Sequence, residues 1–429
     1  MVNRGKIDAG VSNPTKSAES ASDGDRLEQI LDVATRHINE FGLSEASFRD
    51  IAKSLGLTRA SLYYYVRSRS DLVFQISERS LGITLAALEA AHSPDRPALE
   101  VLRVFLAEVL DPKVPEISVM AEIGLLEKSQ RERIDQLEQE LLVKLQFILS
   151  SGIDSGELRK FDCYAVSRTI ISVMRSVPHV SYWGLALNNK DSDRHAFIKS
   201  ISELLSLGWV AERSASRECH PVDIASLRTP RPSAFDKKAL GEARVALIVT
   251  MASKIFNRRG IDSTSMDEIA RETSTTKPTI YRLIGKKDDL LLKCYERTIV
   301  INRYIINKSM LTCASKSEAL FKILVSIAFT LQDDELESIR PQVGYFSLSD
   351  RLRDLLAEND NKLMGFLVKT FTKMEAEDDI QSIDFNHLSA IIMGAMAWLI
   401  TRGSENDLQK REFIASEATN VLRLGLRAI

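Results

Sequence analysis

Residues 47–72 of the chain read SFRDIAKSLGLTRASLYYYVRSRSDL, and this segment contains the signals of two short helices and the turn between them. Ser47 followed three residues later by Asp50 is a capping box, which predicts a helix that begins directly after Ser47. Gly56 supplies the positive φ that a tight turn between helices often needs, and Thr58 is placed to cap a second short helix. Two short helices around a turn that contains glycine form a helix-turn-helix.

The second helix of this motif has a composition suited to DNA, because it carries arginines and no acidic residue between Thr58 and Ser70. The N-terminal residues of such a helix enter the major groove. Arg59, Ala60 and Ser61 are therefore predicted to touch bases. The other predicted DNA-binding residues mainly contact the phosphate backbone. They are Ser47, Thr58, Tyr63, Tyr64, Arg67 and Arg69. The alternative interpretation, a place in the core, is adopted for Leu62 and Tyr65.

The helix before the motif places apolar residues at a spacing of three and four from Leu27 until Gly42 ends it. A shift of 218 positions then lays residues 26–72 on residues 244–290. Identical pairs include Ala34/Ala252, Asn39/Asn257, Gly42/Gly260, Ser47/Ser265, Ile51/Ile269, Thr58/Thr276, Tyr63/Tyr281 and Asp71/Asp289. They fall at caps, turns and core positions, so the chain is predicted to be a tandem duplication of an all-α unit of roughly 200 residues.

The second copy repeats the design with two differences. Pro278 stands in the first turn of its second helix, where proline costs little. Ser274 replaces the turn glycine, which leaves open whether this turn is strained and whether this copy binds DNA. The predicted DNA-binding residues of the second copy are Ser265, Thr276, Lys277, Pro278, Thr279, Tyr281, Arg282, Lys286 and Lys287.

Composition limits the remaining function classes. The 57 Lys and Arg residues nearly balance 59 Asp and Glu, which excludes a polybasic binder but not a local basic patch. The four cysteines are far apart and the six histidines show no catalytic or metal-binding spacing, so neither a disulfide scaffold, a metal site, a cofactor nor catalysis is expected. No secretory signal is visible, and the apolar run Leu388–Thr401 is too short for a membrane span and is predicted to be a buried helix. We expect a cytoplasmic, nucleoid-associated protein.

The domain boundaries follow from changes in composition. The predicted segments are a disordered arm at 1–24, a helix-turn-helix domain at 25–73, a helical domain at 74–212, a Pro- and Ser-rich linker at 213–236, a second helix-turn-helix domain at 237–291 and a second helical domain at 292–429.

Both helix-turn-helix segments resemble the N-terminal domain of TetR/AcrR-family transcriptional regulators. The shared pattern is a first helix that ends in glycine, then S-x-x-x-I-A, a turn, T-x-x-x-[LI]-Y and a basic-x-Asp-Leu close. Its last two parts are Thr58 with Leu62-Tyr63 and Arg69 with Asp71-Leu72 in the first copy. They are Thr276 with Ile280-Tyr281 and Lys287 with Asp289-Leu290 in the second. Family members normally carry one such block per chain.

The resemblance implies the roles of the remaining helices. It implies a ligand-binding core and a four-helix dimerisation bundle, for which 162–187 with 193–211 and 384–402 with 407–427 are the candidate pairs. A duplicated chain offers its own partner, so we predict an intramolecular pseudo-dimer on a double-stranded DNA operator with two unlike half-sites. A small-molecule effector and repression are further expectations by analogy. The effector-pocket candidates in the first half are Phe105, Met120, Tyr164, Met174 and Trp183.

Three alternatives stay open at this stage. For each pocket candidate a place in a plain helical core is the favoured interpretation, and the pocket is the alternative. The second copy is compatible with a degenerate motif that regulates through protein–protein contacts rather than through DNA. The chain acts either alone or as a further homodimer with four DNA-binding motifs.

Overall fold

A computed structural model describes residues 23–45, 47–118, 123–182, 191–210, 219–228, 235–261, 264–339, 369–374, 383–401 and 407–428. The helices that it describes divide between two halves of similar order, and the predicted all-α class is confirmed. The predicted arm at 1–24 lies almost wholly outside the described residues, as do Met120 and Trp183.

The first half follows the order predicted for one unit. Its described helices are α1 Asp23–Glu45, α2 Phe48–Ser54, α3 Arg59–Tyr65, α4 Arg69–Ala91, α5 Ala98–Val109, α6 Lys128–Asp154, α7 Cys163–Tyr182 and α8 Asp191–Leu207. Gly42 interrupts α1 with a φ of 79°, as its sequence position predicts. A short 3₁₀ turn, Ile123–Leu125, precedes α6. We call α1–α3 the first head and the remaining helices the first body.

The second half repeats this order. Its helices are α9 Lys237–Arg259, α10 Met266–Glu272, α11 Lys277–Leu283, α12 Lys287–Thr312, α13 Lys316–Thr330, α14 Phe385–Thr401 and α15 Leu408–Leu424, and residues 369–374 are also helical. We call α9–α11 the second head and the remaining described helices of this half the second body. Helix α14 contains the apolar run singled out in the sequence, and it is a buried helix as predicted, with Leu388, Ile391 and Leu399 at most 1% exposed. None of the helices in the described ranges is long and apolar enough to span a membrane.

Two apolar cores hold these helices together. One continuous cluster runs from the first head, through Ile51, into both bodies, where Phe105 and Leu399 are fully buried. A separate cluster, which includes Phe256 and Ile280, lies within the second head and its supporting helix α12. The two bodies therefore share one core, whereas the second head has its own.

The two bodies meet through reciprocal contacts. The Trp209 amide donates to the Leu422 carbonyl at 3.1 Å, and the Leu426 amide donates to the Leu205 carbonyl at 2.8 Å. A second pair, Val210 to Arg423 at 3.2 Å and Arg427 to Ser206 at 3.1 Å, is related in the same way, with partners 217 positions apart. Reciprocity of this kind is the property of a twofold interface.

Close approach of two helices completes this interface. The Ser172 hydroxyl of α7 donates to the Gly394 carbonyl of α14 at 2.6 Å, and a Cβ built on Gly394 would lie 2.1 Å from the Ser176 hydroxyl oxygen. The indole N–H of Trp398 donates to the Thr169 hydroxyl at 3.2 Å. Glycine at position 394 therefore allows α7 and α14 to approach each other closely.

The predicted linker contains a segment that is packed rather than free. Residues 219–228, which we call the strap, lie against the second body, with Val222 7% and Ile224 4% exposed. The Val222 amide donates to the Ser326 hydroxyl of α13 at 2.9 Å. The Arg228 guanidinium donates at 2.9 Å to Asp333, whose carboxylate also accepts from Arg411. Burial of the two apolar strap residues is the physical reason that this part of the linker is held in place.

Candidate DNA-binding surface

The first head presents α3 as its outermost helix. The Ser47 hydroxyl accepts from the Asp50 amide at 3.1 Å, so α2 begins where the capping box predicts. Gly56 has a φ of 63° in the turn, and the Thr58 hydroxyl accepts from the Ser61 amide at 3.0 Å at the start of α3. Of the α3 residues only Leu62 is buried, and it anchors the helix to the core. The opposite face of α3 is therefore free to meet a duplex.

The predicted contact residues of this head lie on that open side. Exposed positions are Ser47, Thr58, Arg59, Ala60, Tyr63, Tyr64, Arg67 and Arg69, and Ser61 is half-buried. Tyr64 is 72% exposed, which is unusual for an aromatic side chain without a partner surface. The Arg59 guanidinium donates to the Tyr63 hydroxyl at 3.0 Å, and the Tyr63 ring packs 5.3 Å from Phe48. These contacts hold Arg59 in place at the tip of the helix.

The turn of the second head keeps the geometry of the first despite the lost glycine. Ser274 has a φ of 48°, close to the 63° of Gly56. The Thr275 amide donates to the Ala270 carbonyl at 2.9 Å, as Leu57 does to Ala52 at 2.8 Å. The sequence left open an altered turn, and the structure shows instead a serine in the left-handed region. Such a backbone costs about 1 kcal/mol in a residue with a Cβ.

Helix α11 of the second head is oriented by the same devices. Thr276 caps it by accepting from the Thr279 amide, Pro278 stands in its first turn and Ile280 is fully buried. The exposed predicted residues are Ser265, Thr276, Pro278, Tyr281, Arg282 and Lys286, whereas Lys277, Thr279 and Lys287 are half-buried.

One cation of the second head is already neutralised by its own chain. The Lys277 ammonium donates to the Asp267 carboxylate of α10 at 2.8 Å, and this hydrogen bond raises the pKa of Lys277. The first head has the exposed Arg49 at the position that corresponds to Asp267. The two heads therefore differ in charge at a site next to their second short helix, and Lys277 of the second head already has an anionic partner in its own chain.

The described residues include three of the predicted effector residues, Phe105, Tyr164 and Met174, and the structure places all three in packed contacts. Phe105 and Met174 are fully buried in the shared core. Tyr164 packs edge-on against Trp398 of the other half, with ring centroids 6.3 Å apart, so it belongs to the contact between α7 and α14. An open groove of about 670 Å³ lies elsewhere, between α5 and α8. Its apolar wall consists of Leu99, Leu102, Leu106, Ile198 and Leu205, and its rim carries Arg103 and Lys199.

Other chemistry finds little support in the described part of the chain. Its His, Cys, Asp and Glu side chains form no group of three that could hold a metal ion. The four cysteines are free thiols, and burial raises the pKa of Cys219 to about 11 and that of Cys294 to about 12. Neither of these two thiols has the lowered pKa of a reactive nucleophile.

Sequence reasoning missed residues that position the surface. Arg49 and Lys53 are exposed on α2, whereas Ile51 and Ala52 of the same helix are buried. The helical pattern of residues 47–54 already indicated this division into an exposed and a buried side. Asn39 and Asn257 were visible as a repeated pair, but their buried role was not. The amide of Asn39 donates to the Ile117 carbonyl at 3.0 Å, and the amide of Asn257 to the Ser338 carbonyl at 2.9 Å.

Comparison with known proteins finds the same family domain in both halves of the chain. The profile of the family described as bacterial regulatory proteins, tetR family, matches residues 30–76 and again residues 248–294. The HTH-type transcriptional regulator AcrR of Shigella flexneri is 32% identical over 134 residues, which cover 27% of this chain and 61% of that protein. The uncharacterized HTH-type transcriptional regulator YvdT of Bacillus subtilis is 27% identical over 188 residues, covering 43% of this chain and 95% of that protein.

The lengths of these matches agree with a duplicated chain, because nearly all of the Bacillus regulator aligns with less than half of it. Among solved structures, a TetR family transcriptional regulator from Thermus thermophilus, PfmR, is similar with a TM-score of 0.34 and 24% identity, covering 43% of this chain and 95% of that one. AcrR and YvdT are both named as transcriptional regulators, which agrees with the expectation from the sequence.

Proposed function

The chain belongs to the tetR family of bacterial regulatory proteins, and on this premise we propose that one polypeptide supplies both DNA-binding heads of a sequence-specific regulator. The observation that carries the proposal is the pair of exposed, cationic helices α3 and α11. Each is capped by threonine and anchored by one buried aliphatic residue, Leu62 or Ile280. Cations on an exposed helix neutralise phosphates, and the small residues at its N-terminus read base edges.

The second part of the proposal is the intramolecular pseudo-dimer. The reciprocal hydrogen bonds around Gly208 and Gly425, together with the contact between α7 and α14, support it. In this proposal one body carries two unlike heads, of which one reads a half-site with Arg59-Ala60-Ser61 and the other reads a half-site with Lys277-Pro278-Thr279. We expect an operator with two different half-sites, about 34–36 Å apart if the heads lie one duplex turn from each other.

The experiment that tests this function is selection of binding sites from random DNA with the full chain, followed by gel shifts on the selected duplex. The expected product is an asymmetric site, and affinity should fall steeply as salt rises. Arg59→Ala should relax base preference in one half-site, whereas Lys286→Ala should weaken binding evenly. Lys199→Ala, an exposed cation on α8 far from the heads in sequence, is the matched control. Recovery of symmetric sites alone would contradict the unlike half-sites, and no selected site at all would contradict the function.

A second candidate function is favoured by one observation, the pairing of Lys277 with Asp267. In this version the first head binds DNA, while the second head contacts another protein. The gel shift separates the two versions, because Arg282→Ala would then leave DNA affinity unchanged. If both heads bind DNA, Arg282→Ala lowers DNA affinity by the amount expected for the loss of one phosphate contact.

We also propose that effector binding belongs to the first half. The groove between α5 and α8 is open there, whereas the strap covers α13, the counterpart of α5, in the second half. Ala107→Trp should fill the groove without entering the core. In a thermal-shift screen of small amphipathic molecules, compounds that stabilise the natural chain should fail to stabilise this variant. An equal shift in both proteins would place the effector site elsewhere.

A further inference from the structure

In each half one segment, which follows α5 in the first half and α13 in the second, makes an equivalent pair of hydrogen bonds to the first helix of the head and to the helix that supports it. In the first half the Asn39 amide donates to the Ile117 carbonyl at 3.0 Å, and the Ser80 hydroxyl of α4 accepts from the Ser118 amide at 2.9 Å. Asn39 is fully buried and Ser80 is 4% exposed, so water does not compete for these bonds. We call this arrangement the first bracket.

The second half contains an equivalent bracket. The Asn257 amide donates to the Ser338 carbonyl at 2.9 Å, and the Thr298 hydroxyl of α12 accepts from the Ile339 amide at 3.2 Å. Asn257 and Thr298 each stand 218 positions after their counterparts Asn39 and Ser80. In each bracket the carboxamide comes from the first helix of the head and the hydroxyl from the helix that supports it. In each half one short segment thus bonds both to the first helix of the head and to the helix that supports the head.

The first of these segments leads to a turn that lies between α4, the helix that supports the first head, and α9 of the second head. The 3₁₀ turn Ile123–Leu125 accepts a hydrogen bond from the Ser70 hydroxyl of α4 at its Leu125 carbonyl, at 3.0 Å. On its other side the turn lies against the C-terminal end of α9. A Cβ built on Gly124 would lie 3.1 Å from the Arg258 carbonyl oxygen and 3.7 Å from the Arg259 side chain. Glycine at position 124 therefore permits a closer contact with the second head than a larger residue would.

We propose that Gly124, together with the brackets of Asn39 and Asn257, sets the separation of the two heads and thereby the half-site spacing that the protein accepts. The proposal rests on the proposed function, because spacing has meaning only for two DNA-binding heads. The physical argument is that two binding sites joined by a rigid body gain from simultaneous engagement only when their separation matches that of the half-sites. A mismatch forfeits a gain of about 10²–10⁴ in affinity. A longer side chain at 124 pushes α9 away from the turn, whereas loss of a bracket lets the head swing.

The first test measures the separation without DNA. Spin labels at Arg67→Cys and Lys286→Cys, in a full-length chain whose native cysteines are replaced by alanine, report the distance between the heads by pulsed electron spin resonance. Gly124→Val should shift the mean distance, and Asn39→Ala or Asn257→Ala should broaden the distribution. Gly82→Val on α4, where an added Cβ meets nothing within 4 Å, is the matched control and should leave the distance unchanged.

The second test measures the spacing preference with the selected operator and duplexes in which the half-sites are moved by one or two base pairs. The unsubstituted chain should show a sharp optimum. The DNA affinity of Gly124→Val should fall about tenfold or more at that optimum and by less at a changed spacing. The double variant of Asn39→Ala with Asn257→Ala should bind duplexes of all spacings with more similar affinities. Unchanged distances and an unchanged spacing profile in these variants, with normal thermal unfolding, would overturn the inference. Failure of the unsubstituted chain to bind any duplex would instead overturn the proposed function. The role of the brackets in positioning the heads would then be tested by the distance measurement alone.

Discussion

At the scale of single residues, the two heads are built from equivalent positions that differ in a few side chains. Gly56 and Ser274 adopt the same left-handed turn, but only glycine does so without steric cost. Arg49 and Asp267 occupy equivalent positions with opposite charge. These two differences affect stability and DNA affinity separately, because the first concerns the backbone and the second concerns charge beside the DNA-facing helix.

Replacement of the strained serine should stabilise the second head. Ser274→Gly is expected to raise the free energy of unfolding by about 0.5–1 kcal/mol, since glycine removes the cost of a Cβ at a φ of 48°. Urea denaturation followed by circular dichroism measures the change. Gly56→Ser in the first head is the reciprocal control and should destabilise by a similar amount. A lower denaturation midpoint for Ser274→Gly would show that the serine side chain has a stabilising contact that outweighs the backbone strain.

Release of the paired lysine should strengthen DNA binding. Asp267→Asn removes the carboxylate that holds Lys277 at 2.8 Å, so the ammonium becomes available to a phosphate. We expect about three- to tenfold tighter binding at low salt and a salt slope steeper by about one. Fluorescence anisotropy over a range of salt concentrations measures both quantities. Glu203→Gln removes an exposed acid from α8 in the body and should change neither of them. Equal affinity for Asp267→Asn would support the version in which the second head does not bind DNA.

At the scale of helices, the first body is held together partly by a half-buried ion-pair cluster. Glu138 of α6 lies 2.7 Å from Arg175 and 3.6 Å from Arg168, both on α7. Burial alone would raise the pKa of Glu138, but the two guanidinium groups outweigh burial and hold that pKa below its usual value. A carboxyl with a lowered pKa in the folded state stabilises the fold above its unfolded pKa, and this contribution is lost as the pH falls through the folded value.

The cluster therefore gives a pH-dependent prediction. Glu138→Gln should lower the free energy of unfolding by about 1–3 kcal/mol near pH 7, because it leaves two arginines without their shared partner. The difference between variant and natural chain should shrink as the pH falls from the unfolded pKa of a glutamate through the lower folded pKa of Glu138, because protonation then neutralises the natural carboxyl as well. Urea denaturation midpoints of both proteins at several pH values measure this difference in stability. Glu140→Gln, in an exposed pair with Lys144, should change stability by less than about 1 kcal/mol at any pH.

At the scale of the whole molecule, two glycines permit the reciprocal contact between the halves. A Cβ built on Gly208 would lie 2.2 Å from the Arg423 carbonyl oxygen, and one on Gly425 would lie 2.4 Å from the Ser206 carbonyl oxygen. Both residues also have a φ near 70°. Any larger residue must push the two segments apart and break the backbone hydrogen bonds that join the halves.

Substitution of either glycine should thus weaken the association of the two halves. Gly208→Ala or Gly425→Ala is expected to cost about 1–3 kcal/mol and to reduce two-headed DNA binding more than binding to an isolated half-site. Thermal unfolding and gel shifts on complete and half operators measure the two effects. Gly241→Ala on α9, where an added Cβ meets nothing within 4 Å, is the control and should be neutral or slightly stabilising. Unchanged unfolding in Gly208→Ala would contradict the importance of this contact.

The sequence alone determined the heads, their duplication and their candidate DNA-facing residues. Caps such as Thr58 and Thr276, and a turn such as the one at Gly56, act over three or four residues, so their effect can be predicted from neighbouring letters. The apolar run at Leu388 to Thr401 likewise predicted a buried helix correctly, because its composition leaves no polar face.

Only the tertiary structure decided which distant segments meet. The brackets of Asn39 and Asn257, the strap at Val222 and the contact of Gly124 with α9 join residues from 78 to 134 positions apart, and no local pattern encodes such pairs. The same holds for Tyr164, a pocket candidate in the sequence that packs on Trp398 of the other half. Helical periodicity predicts that one face of a helix is buried, but the packing of the whole chain determines which partner buries it.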